Sequence, residues 1–139
     1  MEITTGWFAV AFLAATAHAL YGPADDVKEL TAKNFKKMVL KSDEIWLVKF
    51  YSPGCAKSKK LVKEWKKAAT ALKGAVKVGA VDMDAHGSAA KPYKVSETPT
   101  IKVFGANKKK PTDYEGKMTA AAIEEAGMMA ALMAGKFEL

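Results

Sequence analysis

The chain has 139 residues, half of them hydrophobic and 27% charged, with three Trp, four Tyr and six Phe. That fits one packed domain and excludes a disordered or collagen-like chain. A single cysteine and two histidines exclude an internal disulfide framework and any Cys-only zinc site, and the +7 formal charge comes from lysine alone, so no guanidinium fork is available for phosphate or guanine.

Residues 7–17 (WFAVAFLAATA) are uncharged and too short to span a bilayer, which takes about 20 apolar residues. The run fits the apolar region of a secretory signal peptide, and Ala17-His18-Ala19 supplies a small-x-small cleavage site. The expected signal peptide is 1–19, leaving no membrane span after cleavage, although Glu2 stands where a positive charge is usual.

Residues 27–30 read as a short strand. Thr31 can cap a helix over 31–41 with Phe35, Met38 and Val39 on one side. Residues 45–51 (IWLVKFY) are β-branched and aromatic, as in a buried central strand. Ser52-Pro53-Gly54 ends it, and a helix over 55–72 follows, with Leu61, Val62, Trp65, Ala68, Ala69 and Leu72 as its apolar stripe. The lysines at 59, 60, 63, 66 and 67 read as its solvated face rather than a nucleic-acid patch. Residues 76–81 form a strand closed by Asp82 and Asp84, and 88–93 a short helix or irregular piece. Residues 100–104 are a strand, and a turn at 105–107 leads to a short strand near Asp113 and Tyr114. Thr119 caps the last helix, 119–134, whose Met128, Met129 and Met133 are expected to pack in the core. His86 reads as an ordinary loop residue, and no metal site or cofactor is expected.

The order β-α-β-α-β-α-β-β-α predicts a single α/β domain with a central mixed sheet flanked by helices. The chain closes on Lys136-Phe137-Glu138-Leu139, one residue away from a Lys-Asp-Glu-Leu retrieval tail. Together with the signal-like start, this predicts the lumen of the endoplasmic reticulum. The expected organisation is a signal peptide over 1–19, one domain over 20–135 and a tail over 136–139.

Cys55 follows a strand and a Pro-Gly break and opens a helix, whose free N–H groups and partial positive charge favour a thiolate. Lys57, Lys59 and Lys60 are expected to push the same way, lowering the thiol from its ordinary ~8.5. Position alone makes Cys55 a candidate nucleophile.

The segment WLVKFYSPGCAKSKKLVKEWKKAATAL (46–72) resembles the active-site strand and helix of the protein disulfide isomerases, usually V-x-F-Y-A-P-W-C-G-H-C-K. VKVGAVDMD (76–84), SETPTIKVF (96–104) and DYEG (113–116) resemble the family's later strands in the same order. The similarity runs from residue 20 to about 134 and is greatest to the a-type domains of the A6-like branch. It implies a thioredoxin fold. It implies, residue by residue, that Cys55 is the attacking cysteine, that Ser58 stands in the place of the resolving cysteine, and that Ala56, Lys57 and Gly54 replace Gly, His and Trp. Thr98-Pro99 matches the family's cis-proline loop beside the substrate. Lys49 stands where the family often carries a buried Glu, and Met118 where an Arg tunes the second cysteine.

A dithiol oxidase or reductase needs one thiol to attack and another to resolve. With Ser58 in the second position only monothiol exchange remains. The implied function is folding assistance or client retention through mixed disulfides on Cys55. Its partners would be client proteins with disulfides or free thiols, with glutathione or another oxidoreductase as a second source of thiol, and no nucleic acid. Two alternatives stand beside it: residual isomerase activity that draws on glutathione or a partner thiol, and a redox-inactive peptide-binding chaperone module.

Overall fold

The structure, a computed structural model, describes residue 21 and residues 25–136. The signal-like segment and the tail beyond Lys136 lie outside the described residues. Five strands form one sheet: β1 (Val27–Leu30), β2 (Trp46–Tyr51), β3 (Lys77–Asp82), β4 (Thr100–Phe104) and β5 (Thr112–Asp113), in the order β1-β3-β2-β4-β5. β1 and β2 run parallel to β3, while β4 is antiparallel to β2 and β5 to β4. The helices are α1 (Lys36–Leu40), α2 (Ala56–Leu72), α3 (Met83–His86) and α4 (Ala120–Met133). This is the mixed-sheet α/β architecture expected, with the thioredoxin order of elements.

Because strand side chains alternate between faces, β2 feeds two cores. Leu47, Lys49 and Tyr51 face the layer that holds Leu61, Trp65, Ala68 and Leu72 of α2 with Ile123 and Ala131 of α4. Trp46, Val48 and Phe50 face the other layer, with Phe35, Val39, Phe104 and the partly buried Tyr93. There the rings of Phe35, Phe50, Tyr93 and Phe104 pack with centroids 5.1–6.4 Å apart. Each such pair adds about 0.5–1.5 kcal/mol beyond its buried area. All six residues of β2 are buried, as a central strand requires.

Several local details differ from expectation. The first helix is regular only over Lys36–Leu40, where it winds as a π-helix. Thr31 still acts one turn earlier: its Oγ1 accepts from Asn34 N (3.1 Å), while Asn34 Oδ1 accepts from Thr31 N (2.7 Å). α3 begins directly after β3, ahead of the expected 88–93 piece, because Asp82 Oδ1 accepts from Asp84 N (2.9 Å) and Ala85 N (3.2 Å). Short 3-10 turns over Gly87–Ala89 and Lys91–Tyr93 then complete the connection.

On α4, Thr119 caps as expected, accepting from Ala122 N at 3.3 Å, and Glu64 Oε1 of α2 accepts from Ala120 N at 2.9 Å. The expectation that the α4 methionines pack in the core fails for two of the three. Ile123, Gly127 and Ala131 form the buried stripe. Met128 reaches the core edge, whereas Met129 and Met133 are 53% and 84% exposed. A Cβ on Gly127 would lie 2.9 Å from Leu72 Cδ1, so the missing side chain lets α4 approach α2 closely.

Candidate functional site

Cys55 sits at the N-cap of α2, with extended backbone angles (φ −81°, ψ 124°). Its N–H donates to Ser52 O at 3.0 Å, and its own carbonyl accepts from Lys59 N at 3.0 Å, the first turn of the helix. The Ser52-Pro53-Gly54 break thus turns the chain out of β2 and presents the thiol at the edge of the sheet. Gly54, Ala56 and Lys57 are exposed around it. Ser58 faces inward and has no exposed surface, and its Oγ accepts from Ser52 N at 3.3 Å.

Across from the helix, Thr98 and Pro99 lead into β4 through a cis peptide bond. The Cys55 thiol donates to Thr98 O at 3.4 Å, so residues 43 apart in sequence meet here. All the residues singled out in the sequence therefore converge on one edge: Gly54, Cys55, Ala56, Lys57 and Ser58 from the β2–α2 junction, Thr98 and Pro99 from the start of β4.

The thiol is held down to about 7, well below the ordinary range of a free thiol. The largest contribution is hydrogen bonding from the Thr98 side chain, followed by the backbone and side chain of Ser58; desolvation opposes them, and the backbone of Lys57 adds the least. Hydrogen bonds to the charged form favour it. The lysine ammonium groups, expected to act on the thiol, are absent from these causes. Lys57, Lys59 and Lys60 are exposed, and water screens their charge.

Ser58 thus holds two places at once. It belongs to the buried stripe of α2, a position the apolar pattern passed over, and its hydroxyl reaches the thiol. Beside the pair lies a cleft of about 390 Å³, lined by Lys57, Lys60, Leu61, Glu97, Thr98, Pro99 and Met118. Met118, 43% exposed, stands at its mouth.

Beneath the α2 layer lies Lys49, with no exposed surface. A lysine in a central strand must reach solvent or a carboxylate such as Asp82, or stay neutral. Lys49 reaches neither of the first two: Asp82 is turned to cap α3. The Lys49 ammonium instead donates to the hydroxyl of Tyr21 and lies 4.8, 5.3 and 5.7 Å from the ring centroids of Tyr21, Tyr51 and Trp65. Its strongest charge relation is with Glu29, which faces Ala80 across β1–β3 as Lys49 faces Ala80 across β2–β3. Burial holds Lys49 down to about 7, with Glu29 pulling it up and Lys66 adding repulsion. Burial also raises Glu29 above its ordinary value, helped by Asp82 and opposed by Lys49. Tyr21 lies 28 positions before Lys49, and no spacing in the sequence links them.

Among the described residues, no group of three His, Cys, Asp or Glu side chains is placed to hold a metal ion. No helix among them is long and apolar enough to cross a membrane.

The thioredoxin family model matches residues 26–128. The protein disulfide-isomerase A6 homolog of Caenorhabditis elegans is 58% identical over 106 residues, covering 76% of this chain and 24% of the relative. The Homo sapiens protein disulfide-isomerase A6 is 53% identical over 113 residues, covering 81% and 26%. The chain therefore spans about a quarter of the length of these curated relatives. Among solved structures, full-length ERdj5 superposes with a TM-score of 0.70 at 31% identity, over 75% of this chain and 16% of that one. Fold, order of elements and sequence identity agree: the chain belongs to the thioredoxin family as a disulfide-isomerase A6-like member, with Cys55-Ala56-Lys57-Ser58 where the isomerases usually read Cys-Gly-His-Cys.

Proposed function

We propose that the chain is a monothiol member of the disulfide isomerase family that engages client proteins through Cys55 in the lumen of the endoplasmic reticulum. The observation that carries the reading is the pairing of a thiol held down to about 7 with a buried serine hydroxyl where a second thiol would be needed. At pH 7 about half of Cys55 is thiolate, against about 3% for a free thiol at ~8.5.

The thiolate attacks one sulfur of a client disulfide. A new bond forms between Cys55 Sγ and that sulfur, the old S–S bond breaks, and the other client sulfur leaves as a thiolate. No electrons are gained or lost overall. Ser58 cannot attack the adduct, so release depends on a thiol from outside the domain. A thiol of the same client returns Cys55 and leaves a rearranged disulfide, which is isomerisation. Glutathione or another oxidoreductase thiol releases the client with one sulfur still capped. Slow release retains the client. The cleft along Thr98 and Pro99 gives the client segment a surface to lie on. The luminal setting is supported by the signal-like residues 1–19 and the KFEL end.

The test is rapid alkylation of cells expressing the tagged chain, followed by a non-reducing gel. High-mass adducts that collapse on reduction and vanish in Cys55→Ala are expected. Identical patterns for wild type and Cys55→Ala would refute covalent engagement and favour a redox-inactive peptide-binding module.

A further inference from the structure

We propose that the cleft beside Cys55 selects client segments that carry a carboxylate within a residue or two of the reacting cysteine, an inference that rests on Cys55 being the attacking thiol. The cleft's walls differ in character. Leu61 on its floor is buried, and Met118 at its mouth is half-open, so there is an apolar strip for an aliphatic side chain or stem. Lys57 and Lys60 form the α2 wall, and Glu97 is the single acid in the lining.

The lysines of α2 divide into two sets. In its second half and just beyond its end, Lys66 pairs with Asp25 (3.3 Å), Lys67 with Glu64 (3.8 Å) and Lys73 with Asp26 (3.3 Å). No ion pair among the described residues involves Lys57 or Lys60. Glu64 is the one acid in the helix, and its carboxylate is held by Ala120 N and Lys67. Nothing on α2 neutralises the wall that faces the cleft. The helix N-terminus adds partial positive charge of the same sign.

A cleft of this size is within the usual ~300–1,000 Å³ of ligand sites and accommodates a few side chains. A client carboxylate there meets two amines against one acid. A client lysine meets a net positive wall.

The experiment uses three peptides identical except for Glu, Gln or Lys beside the cysteine, each capped as a disulfide with mercaptoethanol. The rate at which Cys55 of the full chain takes up each peptide is read by mass spectrometry. Reaction of the same peptides with free thioglycerol, a neutral thiol of different mass read as the peptide–thioglycerol disulfide, corrects for their intrinsic reactivity. The corrected Glu-to-Lys rate ratio is expected to be at least about tenfold at low salt, the lower end of electrostatic steering, and to fall toward one at high salt. Lys57→Gln with Lys60→Gln should collapse the same ratio.

A second arm uses Cys55→Ser and S-methylated peptides, with non-covalent binding followed by NMR titration. Tighter binding of the Glu peptide is expected there as well. If Cys55 reacts with none of the disulfides, thiol exchange is refuted, while this arm still decides the charge preference. Equal ranking of the Glu and Lys peptides in both arms, or a preference for Lys, overturns the proposal.

Discussion

Replacing Lys49 with methionine should stabilise the protein, and most strongly in acid. Lys49 is held down to about 7 from 10.5, a difference of about three and a half units. At ~1.36 kcal/mol per unit, protonating the buried amine costs the native state up to about 5 kcal/mol. Its native value lies below its unfolded value. Between about pH 7 and pH 10 the unfolded chain therefore binds more protons at this site, and stability climbs with pH. Below about 7 the full cost is present. Above about 10.5 the climb ends, because the unfolded amine is neutral as well, and stability then falls as the unfolded counterparts of Tyr21 and Tyr51 ionise while burial holds both protonated in the native state.

Methionine fills a similar volume without the charge, which is the exchange that tends to be neutral or stabilising at a buried ionic site. It also removes the bond to the Tyr21 hydroxyl, at a cost of about 1–3 kcal/mol, and strips Glu29 of its attraction. A net gain of about 2 kcal/mol at pH 6 is expected, larger when Glu29→Gln is added. The assay is urea unfolding from pH 6 to 9.5 in a Cys55→Ala background, which removes the slope contributed by the thiol. The wild-type midpoint should rise with pH, and the Lys49→Met midpoint should start higher and change less. Parallel curves, or a variant less stable at pH 6, would refute the account of the buried amine.

Alkylation of Cys55 by a neutral reagent should follow a midpoint near pH 7, and Ser58→Ala should move it up toward the ~8.5 of a free thiol, since the lost hydroxyl stabilises the charged form; an unchanged midpoint would show that Ser58 does not act on the thiol. The purified chain alone should neither reduce insulin nor oxidise a reduced client at a measurable rate, because both reactions need a pair that cycles between dithiol and disulfide; robust turnover in either assay would contradict the monothiol chemistry. Removing residues 136–139 should send the protein to the medium of secreting cells, and equal secretion with and without them would remove the retrieval argument.

The elements could be read in advance where local pattern dominates, whereas the meeting of Cys55 with Thr98, 43 positions away, and with Pro99 was implied only by the family resemblance. The β-branched run of β2, the stripe from Leu61 to Leu72 and the Thr119 cap each depend on residues within a turn or a few positions, and each appears in the structure as expected. What escaped depends on distance in sequence or on a polar residue in an apolar place. Ser58 lies on the buried stripe of α2, but a hydroxyl does not register in an apolar pattern. The enclosure of Lys49 needs Tyr21, Glu29, Tyr51 and Trp65 from four different segments. Asp82 looked free to serve Lys49 because nothing local forced it to cap α3. Met129 and Met133 looked like core because alanines surround them, and the small residues that do face inward, Gly127 and Ala131, gave too weak a contrast to orient the helix.

The most direct measurement of the central claim is the lifetime of a purified Cys55–peptide mixed disulfide with every other thiol removed. In the native sequence the adduct has no intramolecular route of escape and should persist for as long as the buffer stays thiol-free. In Ser58→Cys, the substituted position faces the same side of the helix start, one turn from Cys55, where the native serine helps hold the thiol down. The introduced thiol should expel the peptide and leave an internal disulfide between positions 55 and 58, two hydrogens lighter than the dithiol form. A native adduct that sheds its peptide unaided would contradict the monothiol account. A Ser58→Cys adduct that persists without forming the internal disulfide would show that positions 55 and 58 are not placed as described.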